Sequence, residues 1–161
     1  MNSCKISEII KFMNKNKHKT IFSALGIIIE SYDPDNVTVM INVDERHLQY
    51  SGLVHGGIFV TLAESAASIS ATLKLGFDYN IVGIEINANH LKQVRSGTLR
   101  GKAKLIHHGK STMVYSINIS NSDNKLVCIS RCTIAIINNK MKINWKFSIL
   151  ICCLYLINFV F

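Results

Sequence analysis

The stretch "SGLVHGGIFVTLAESAASISATL", residues 51–73, decides the fold of this chain. Its single charged residue is Glu64, which stands among mainly small, apolar and hydroxyl-bearing residues. Its length and composition predict a helix from His55 to about Leu73, and we expect Gly76 to end this helix. Small side chains let a sheet approach closely, so we expect this helix to be buried on most sides. The small apolar residues are Ala63, Ala66, Ala67 and Ala71.

The segments around this helix predict β-strands. Residues 22–44 favour two strands joined by an Asp-Pro-Asp-Asn turn at residues 33–36, and residues 111–137 favour a hairpin that turns at residues 121–124. Two strands before the helix and at least three after it predict an α+β fold, with a five-stranded antiparallel sheet wrapped around one long central helix. In residues 81–92, alternation predicts one side that faces the helix, formed by Val82, Ile84, Ile86, Ala88 and His90.

The two ends of the chain lie outside this pattern. We divide the sequence into an amphipathic helix in residues 1–20, a domain in residues 21–139 and an apolar tail in residues 140–161. Residues 147–161 would span about 22 Å as a helix, which is short of a hydrocarbon core of about 30 Å. Membrane contact through this tail, a packed helix and an extension without function are three open alternatives.

Composition limits the classes of function. A hydrophobic fraction of 48% excludes a disordered chain. The formal charge of +8 fits either a solvated lysine face or a ligand that carries phosphates. Nucleic-acid binding is not expected, because the lysines are scattered and lack interleaved aromatic residues. The five cysteines lack zinc-site spacing, so we predict reduced thiols, a cytoplasmic location and no metal.

Glu64 and the "HGG" at residues 55–57 suggest acyl chemistry. A carboxylate in an apolar helix needs partners, a shifted pKa or a chemical role, although a glutamate that reaches solvent from the helix surface is the ordinary alternative. The hydroxyls of Thr61 and Ser68 fall on the same helix face and are candidates to orient it. Glycines at a helix start expose N–H groups that can stabilise a carbonyl oxygen, although such glycines also serve simple turning.

Spacing along the helix adds a prediction about assembly. Gly56 and Glu64 lie eight residues apart, or about 12 Å along a helix axis. One carbonyl group cannot easily reach both elements of the same helix. Two antiparallel helices related by a twofold axis would bring one N-terminus to the other carboxylate. We therefore predict a homodimer with two shared sites.

The runs "GLVHGGIFVTLAES" and "VGIEINANHLKQVRSGTLRGKAKLIHHG" resemble the hotdog-fold acyl-CoA thioesterases over roughly residues 20–137. Within that family, the sequence is most similar to the 1,4-dihydroxy-2-naphthoyl-CoA hydrolases of menaquinone synthesis and the proofreading thioesterases of enterobactin synthesis. The resemblance implies hydrolysis of an acyl-CoA, sites at a dimer interface, commonly within a tetramer, and no cofactor. It leaves the acyl group open, as well as the choice between coenzyme A and acyl carrier protein.

The resemblance also implies roles for individual residues. Glu64 would be the general base or nucleophile, and Gly56 would donate its N–H to the thioester oxygen. Gln49 and His55 would position the acyl thioester, and Ser68 would orient the carboxylate or the attacking water. The implied coenzyme A contacts are Gly83, His90, Lys92, Gln93, His107, His108, Gly109, Lys110, Ser111 and Thr112. Weaker candidates for its phosphates are Arg95, Arg100 and Lys102.

Two alternatives and one departure accompany this interpretation. A non-catalytic hotdog module that senses acyl-CoA would keep the fold without using Glu64. An acyl-thioester dehydratase would share the fold, but its usual histidine-containing catalytic pattern differs from "HGG" followed by a glutamate. Tyr50 and Ser51 stand where many relatives have a proline and a bulky apolar residue, which would alter the acyl pocket.

Overall fold

The computed structural model describes residues 3–15, 18, 20–33, 36–76 and 79–138. The predictions for the turn residues Pro34 and Asp35 and for the tail in residues 140–161 lie outside the described residues. The helices are α1 (Ser3–Lys15), α2 (Ile21–Ala24) and α3 (Gly56–Leu75), with a short 3-10 helix at Glu45–His47. The strands are β1 (Ile28–Asp33), β2 (Asn36–Asn42), β3 (Tyr79–His90), β4 (Thr98–His108), β5 (Thr112–Ser120) and β6 (Leu126–Asn138).

The described strands form one antiparallel sheet of six strands in the order β1-β2-β4-β5-β6-β3. The predicted antiparallel sheet on a central helix is confirmed, but the count of five strands was too low by one. The sheet is not closed, since β1 and β3 each have a neighbour on one side only. An edge strand has no strand neighbour for the backbone N–H and C=O groups on its outer side.

Helix α3 is the centre of the core, as the alanine-rich sequence predicted. It packs against β2, β3, β4, β5 and β6, and its alanines at 63, 66, 67 and 71 are fully buried. It ends at Gly76, whose φ of +85° suits a residue without a Cβ atom. By length and composition α3 could span a membrane, but it is instead the core helix of this domain, with 56% of its most apolar window buried.

Strand β3 corrects the predicted pattern of buried residues. The register against β6 shifts between Gly83 and Glu85, where Ile84 is an extra residue on the β3 side. The strict alternation predicted for residues 82–90 therefore fails at its start. Val82 and Ile84 are 47% and 58% exposed, whereas Ile81 and Ile86 pack against the core. A single bulge reverses the faces because the side-chain period of a strand is two residues.

The N-terminal segment covers the other edge of the sheet. The predicted helix is present as α1, and its Ile10 and Met13 pack against the core. The Asn14 amide bonds to both backbone groups of Ile29 on β1, donating to its C=O at 3.0 Å and accepting from its N–H at 2.9 Å. The start of the first predicted strand forms the short helix α2 instead, and Gly26 turns the chain into β1 with a φ of +63°.

Candidate active site

A narrow turn connects β2 to α3 and carries two of the predicted site residues. Leu48 forms a bridge with Val54, and the His55 N–H donates to the His47 C=O at 2.8 Å. The Gln49 N–H donates to the Leu53 C=O at 2.8 Å. These bonds fold residues 47–55 back on themselves, so that Gln49 and the first residue of α3 lie at the same end of the sheet.

His47 anchors the base of this turn. Its side chain is 1% exposed, its Nδ1 accepts the Asp44 N–H at 2.9 Å, and its Nε2 lies 2.9 Å from the Leu25 C=O. The Arg46 guanidinium hydrogen-bonds the Asp44 carboxylate and lowers its pKa to about 2, although burial opposes this shift. Contacts of Asp44 before the short 3-10 helix and of His47 at its end therefore fix this helix next to the site.

An open cleft of about 460 Å³ lies at the start of α3. It brings together five residues that the sequence resemblance assigned to the site, and five apolar residues that it did not assign. The first group is Gln49, Gly56, His90, Lys92 and Gln93. The second group is Leu53, Val54, Phe59, Leu91 and Val94. The rings of Phe59 and His90 are tilted against each other, with centroids 5.3 Å apart.

The N-terminus of α3 offers one unused donor at this cleft. The His55 Nδ1 accepts the Gly57 N–H at 2.9 Å, and the Ile58 N–H donates to the His55 C=O. Within the described part of the chain, the Gly56 N–H has no hydrogen-bond acceptor. A Cβ atom at Gly56 would lie 3.1 Å from the His90 Nε2, so the glycine keeps this donor close to the imidazole. The His55 side chain therefore caps the N-terminus of α3, a role that the sequence did not predict.

Glu64 lies apart from this cleft, and its surroundings differ from those predicted. Its side chain is exposed in the protomer, because it projects from the face of α3 beside the edge strand β3. Its Oε1 atom lies 2.8 Å from the point that a Cβ would occupy at Gly83. The Thr61 hydroxyl, expected to face Glu64, donates to the Gly57 C=O at 2.9 Å. Among the described residues, Glu64 has no ion pair or hydrogen bond.

A buried thiol interacts electrostatically with Glu64. Cys132 on β6 is 1% exposed, and burial, followed by the charges of Glu64 and Glu85, raises its pKa to about 11. A thiol with this pKa stays protonated at neutral pH and is a poor nucleophile. Cys132 is therefore a poor candidate for the nucleophile of this site.

The remaining predicted site residues lie elsewhere. Ser68 is half-buried, and its backbone C=O accepts a hydrogen bond from the Thr72 hydroxyl. Among the described residues, no hydrogen bond joins Ser68 to Glu64. The tight turn between β4 and β5 is closed by a hydrogen bond from the Gly109 N–H to the Thr112 C=O at 2.8 Å. The predicted residues in and around this turn are His107, His108, Gly109, Lys110, Ser111 and Thr112. Thr112 pairs with Ala135, which pairs with Val82, so this turn lies at the Gly83 end of the sheet.

Two of the three basic candidates for phosphate binding already have partners. The Arg95 Nη1 donates to the backbone carbonyls of Ser51 and Gly52, at 3.2 and 3.4 Å. Arg100 forms an ion pair with Glu30 across the outer face of the sheet, at 2.9 Å. Lys102 is exposed on the same strand as Arg100. The sequence did not reveal the partners of these arginines, because each pair joins segments that are 43 or more residues apart.

One protomer thus contains two separate groups of candidate residues. The cleft at the start of α3 holds Gln49, Gly56 and His90, and the middle of α3 holds Glu64 against Gly83. Phe59, which the sequence interpretation missed, could have been found by continuing the helix period from Gly56. Leu91, also missed, follows the end of β3 and falls on the face opposite His90 by strand alternation. Leu53 carried no such signal, because its position depends on the fold of the turn.

Comparison with known proteins identifies the family of this chain. A family model described as the Thioesterase superfamily matches residues 51–128. The chain is 46% identical over 112 residues to a 1,4-dihydroxy-2-naphthoyl-CoA hydrolase of Listeria monocytogenes, covering 70% of this chain and 91% of that protein. It is 30% identical over 125 residues to a proofreading thioesterase of Klebsiella pneumoniae, covering 78% of this chain and 91% of that protein.

A solved structure of a thioesterase from Haemophilus influenzae superimposes with a TM-score of 0.79 at 36% sequence identity. The matched region covers 83% of this chain and 94% of that one. These proteins are named as hydrolases, which favours an enzyme over the non-catalytic module considered from the sequence. The chain belongs to the thioesterase superfamily and is a thioester hydrolase with the hotdog fold.

Proposed function

We propose that this enzyme hydrolyses an acyl-CoA thioester to a carboxylic acid and free coenzyme A, and that the acyl group is aromatic. The name of the Listeria relative makes 1,4-dihydroxy-2-naphthoyl-CoA the first substrate to test. The apolar lining of the cleft, from Leu53, Phe59 and Leu91, supports an apolar or aromatic acyl group. Hydrolysis adds water across the carbonyl–sulfur bond, with the proton going to the leaving thiolate.

The observation that carries the catalytic proposal is the pair of unsatisfied groups on α3. The Gly56 N–H lies at the positive end of the helix and suits the oxygen of a thioester that gains negative charge during attack. The Glu64 carboxylate suits a general base that takes a proton from water, or a nucleophile that attacks the carbonyl carbon. Gln49 and His90, at the same cleft as Gly56, position the thioester.

The Gly56 N–H and the Glu64 carboxylate can act on one thioester carbonyl only if they come from two different chains. Eight residues of helix separate them by about 12 Å, and a reacting carbonyl needs its hydrogen-bond donor near 3 Å and its base within reach of one water. The free edge at β3 supports a homodimer, because Val82 and Ile84 are exposed there beside Glu64. An antiparallel partner at this edge would bring each Gly56 towards the other Glu64.

The same arrangement supports a path for coenzyme A. Lys92 and Gln93 extend the cleft beyond His90, and the turn at residues 107–112 lies at the Gly83 end of the sheet. In a dimer, the turn of one subunit approaches the cleft of the other. The exposed Lys110 then serves the phosphates. Pairing of two such dimers into a tetramer is a further proposal from the family resemblance, and a cytoplasmic location is a further proposal from the cysteine pattern.

The first experiment measures thiol release from a panel of thioesters: 1,4-dihydroxy-2-naphthoyl-CoA, benzoyl-CoA, acetyl-CoA, palmitoyl-CoA and an acyl carrier protein thioester. We expect the highest kcat/KM with the aromatic acyl-CoAs. Glu64→Gln should lower kcat by about 10²–10⁴-fold, because it removes the base and keeps the side-chain size. Glu30→Gln, a carboxylate change at the opposite edge of the sheet, is the matched control. Full activity of Glu64→Gln would refute the catalytic assignment.

A second experiment tests whether two chains share each site. Gly56→Pro removes the N–H at the first helical residue, a position that tolerates proline, and His55 has the extended backbone that proline requires before it. Glu64→Gln and Gly56→Pro should each be inactive alone. After unfolding and refolding as an equal mixture, half the dimers are mixed and have one intact site, which restores about a quarter of the wild-type activity. A mixture as inactive as its parents would exclude shared sites.

A further inference from the structure

We propose that Ser51 and Arg95 are positioning residues that hold the carboxamide of Gln49 in place at the mouth of the cleft. The inference rests on the proposed function, because it takes Gln49 as the side chain that positions the thioester. It adds two residues to the site, a serine and an arginine that lie beside Gln49 in the folded chain. Arg95 receives a role other than the phosphate contact suggested by the sequence.

The backbone of the turn is fixed before any side chain contributes. The Gln49 N–H donates to the Leu53 C=O, and the Gly52 N–H donates to the Gln49 C=O, both at 2.8 Å. Gly52 has a φ of +72°, which few other residues adopt without strain. These bonds fix the Gln49 main chain but leave its side chain, which is exposed, free to rotate.

Ser51 restrains that side chain. The Gln49 Nε2 donates to the Ser51 Oγ at 3.1 Å, two residues further along the turn. A glutamine amide has two N–H donors and one carbonyl oxygen, so one donor and the carbonyl remain available to a substrate. Glutamine is among the side chains that lose the most rotamer freedom when they are ordered. Ordering it in the free enzyme therefore lowers the entropic cost of reaching the transition state.

Arg95 restrains Ser51 in turn. Its Nη1 donates to the Ser51 and Gly52 carbonyls, at 3.2 and 3.4 Å, and the Val54 N–H donates to the Val94 C=O at 2.8 Å. The contacts form a chain in which Arg95 fixes the Ser51 backbone and the Ser51 hydroxyl fixes the Gln49 amide. Arg95 also follows Lys92 and Gln93 in sequence, so it joins the segment proposed for coenzyme A to the turn that carries Gln49.

A direct phosphate contact is the competing role for Arg95. The guanidinium has five N–H donors, and only its Nη1 bonds to the turn in the described structure. A truncated substrate separates the two roles. An acyl-N-acetylcysteamine thioester keeps the reacting carbonyl and sulfur but lacks the phosphates. A positioning role affects both substrates, whereas a phosphate contact affects only the coenzyme A thioester and mainly its KM.

The test is a set of double-mutant cycles. Ser51→Ala, Arg95→Ala and Arg95→Lys are made in the wild-type and Gln49→Ala backgrounds, and kcat, KM and Tm are measured with both thioesters. Ser51→Ala removes one exposed hydrogen bond and Arg95→Ala removes two long ones. Each change should therefore lower kcat by about fivefold with both substrates, and Tm should hardly change. Arg95→Lys should restore part of the loss. Lys125→Ala, a distant exposed cation, is the control and should match wild type.

The cycle decides whether the two residues act through Gln49. If they do, neither change lowers activity further in the Gln49→Ala background. Independent, multiplying losses would overturn the proposal, as would a loss from Arg95→Ala confined to KM for the coenzyme A thioester. A Gln49→Ala enzyme that is impaired while Ser51→Ala and Arg95→Ala are fully active would refute this proposal alone. Full activity of Gln49→Ala would instead refute the role of Gln49 in the proposed function.

Discussion

The Glu64 carboxylate lies directly against Gly83, with its Oε1 atom 2.8 Å from the point where a Cβ would stand. The contact joins the middle of α3 to the edge strand β3, just before the bulge at Ile84. Only a residue without a side chain leaves this space to the carboxylate. Gly83 therefore shapes the position of Glu64 in the protomer, a role separate from the coenzyme A contact that the family resemblance implies.

Replacing Gly83 by alanine tests this relationship. The added methyl group would displace the end of a flexible, exposed side chain, so we expect little change in Tm. A displacement of the base by about 1 Å can cost roughly 10²-fold in rate, and the loss should appear in kcat. Steady-state kinetics and a thermal melt of Gly83→Ala measure both quantities. A rise in KM alone would favour the coenzyme A contact instead.

Gly101→Ala is the matched comparison for that variant. Gly101 lies in β4, where a Cβ would stand 3.2 Å from the Leu62 Cγ in the core. Overpacking there should lower the free energy of unfolding by about 1–3 kcal/mol. Below its melting temperature the variant should keep its kcat, since Leu62 does not face either group of site residues. The two glycine variants should therefore show opposite patterns.

The exposed edge at β3 predicts the outcome of a charge substitution. Ile84→Lys places an ammonium group on a side chain that is 58% exposed in the protomer, so the protomer should still fold. At a dimer interface the same charge would be desolvated without a partner, which disfavours association. We expect a monomeric and inactive protein in sedimentation and activity measurements. Ile21→Lys, in α2 near the opposite edge, should behave like wild type, and an active monomer would contradict the shared site.

The interaction between Asp44 and Arg46 predicts that the stability of the protein depends on pH. The pKa of Asp44 is lowered to about 2 in the folded protein by Arg46, against about 3.9 in an unfolded chain. A group with a depressed folded pKa stabilises the protein above the unfolded pKa and loses that contribution as the pH falls through the folded value. The urea midpoints of wild type and Asp44→Asn should therefore differ most above pH 5 and converge towards pH 2. A constant difference would contradict the charge interaction, since asparagine keeps the cap.

Cys132 should take no part in the reaction. Its burial and its pKa of about 11 predict that iodoacetamide at neutral pH leaves it unmodified in the native protein and labels it after unfolding. Peptide mass spectrometry locates the label. Cys132→Ala should keep kcat within about threefold of wild type while losing about 1 kcal/mol of stability. Inactivation that follows the labelling of Cys132 would contradict the assignment of the chemistry to Glu64.

The sequence predicted elements that depend on local patterns. The limits of α3, its closure at Gly76 and the β5–β6 hairpin were all found from composition, periodicity and turn residues. The error at Val82 and Ile84 arose because a bulge depends on pairing with β6, which alternation within one strand does not reveal.

For the site, the sequence by itself determined which groups are present: one carboxylate in an apolar helix, and glycines at the start of that helix. Their spacing of eight residues is a property of the chain, and so is the separation that follows from helix geometry. Only the tertiary structure decided their surroundings. It placed Glu64 at an exposed edge against Gly83, and it linked Gln49 to Ser51 and Arg95. Such contacts depend on where distant segments meet, since folding, rather than local preference, brings them within hydrogen-bonding distance.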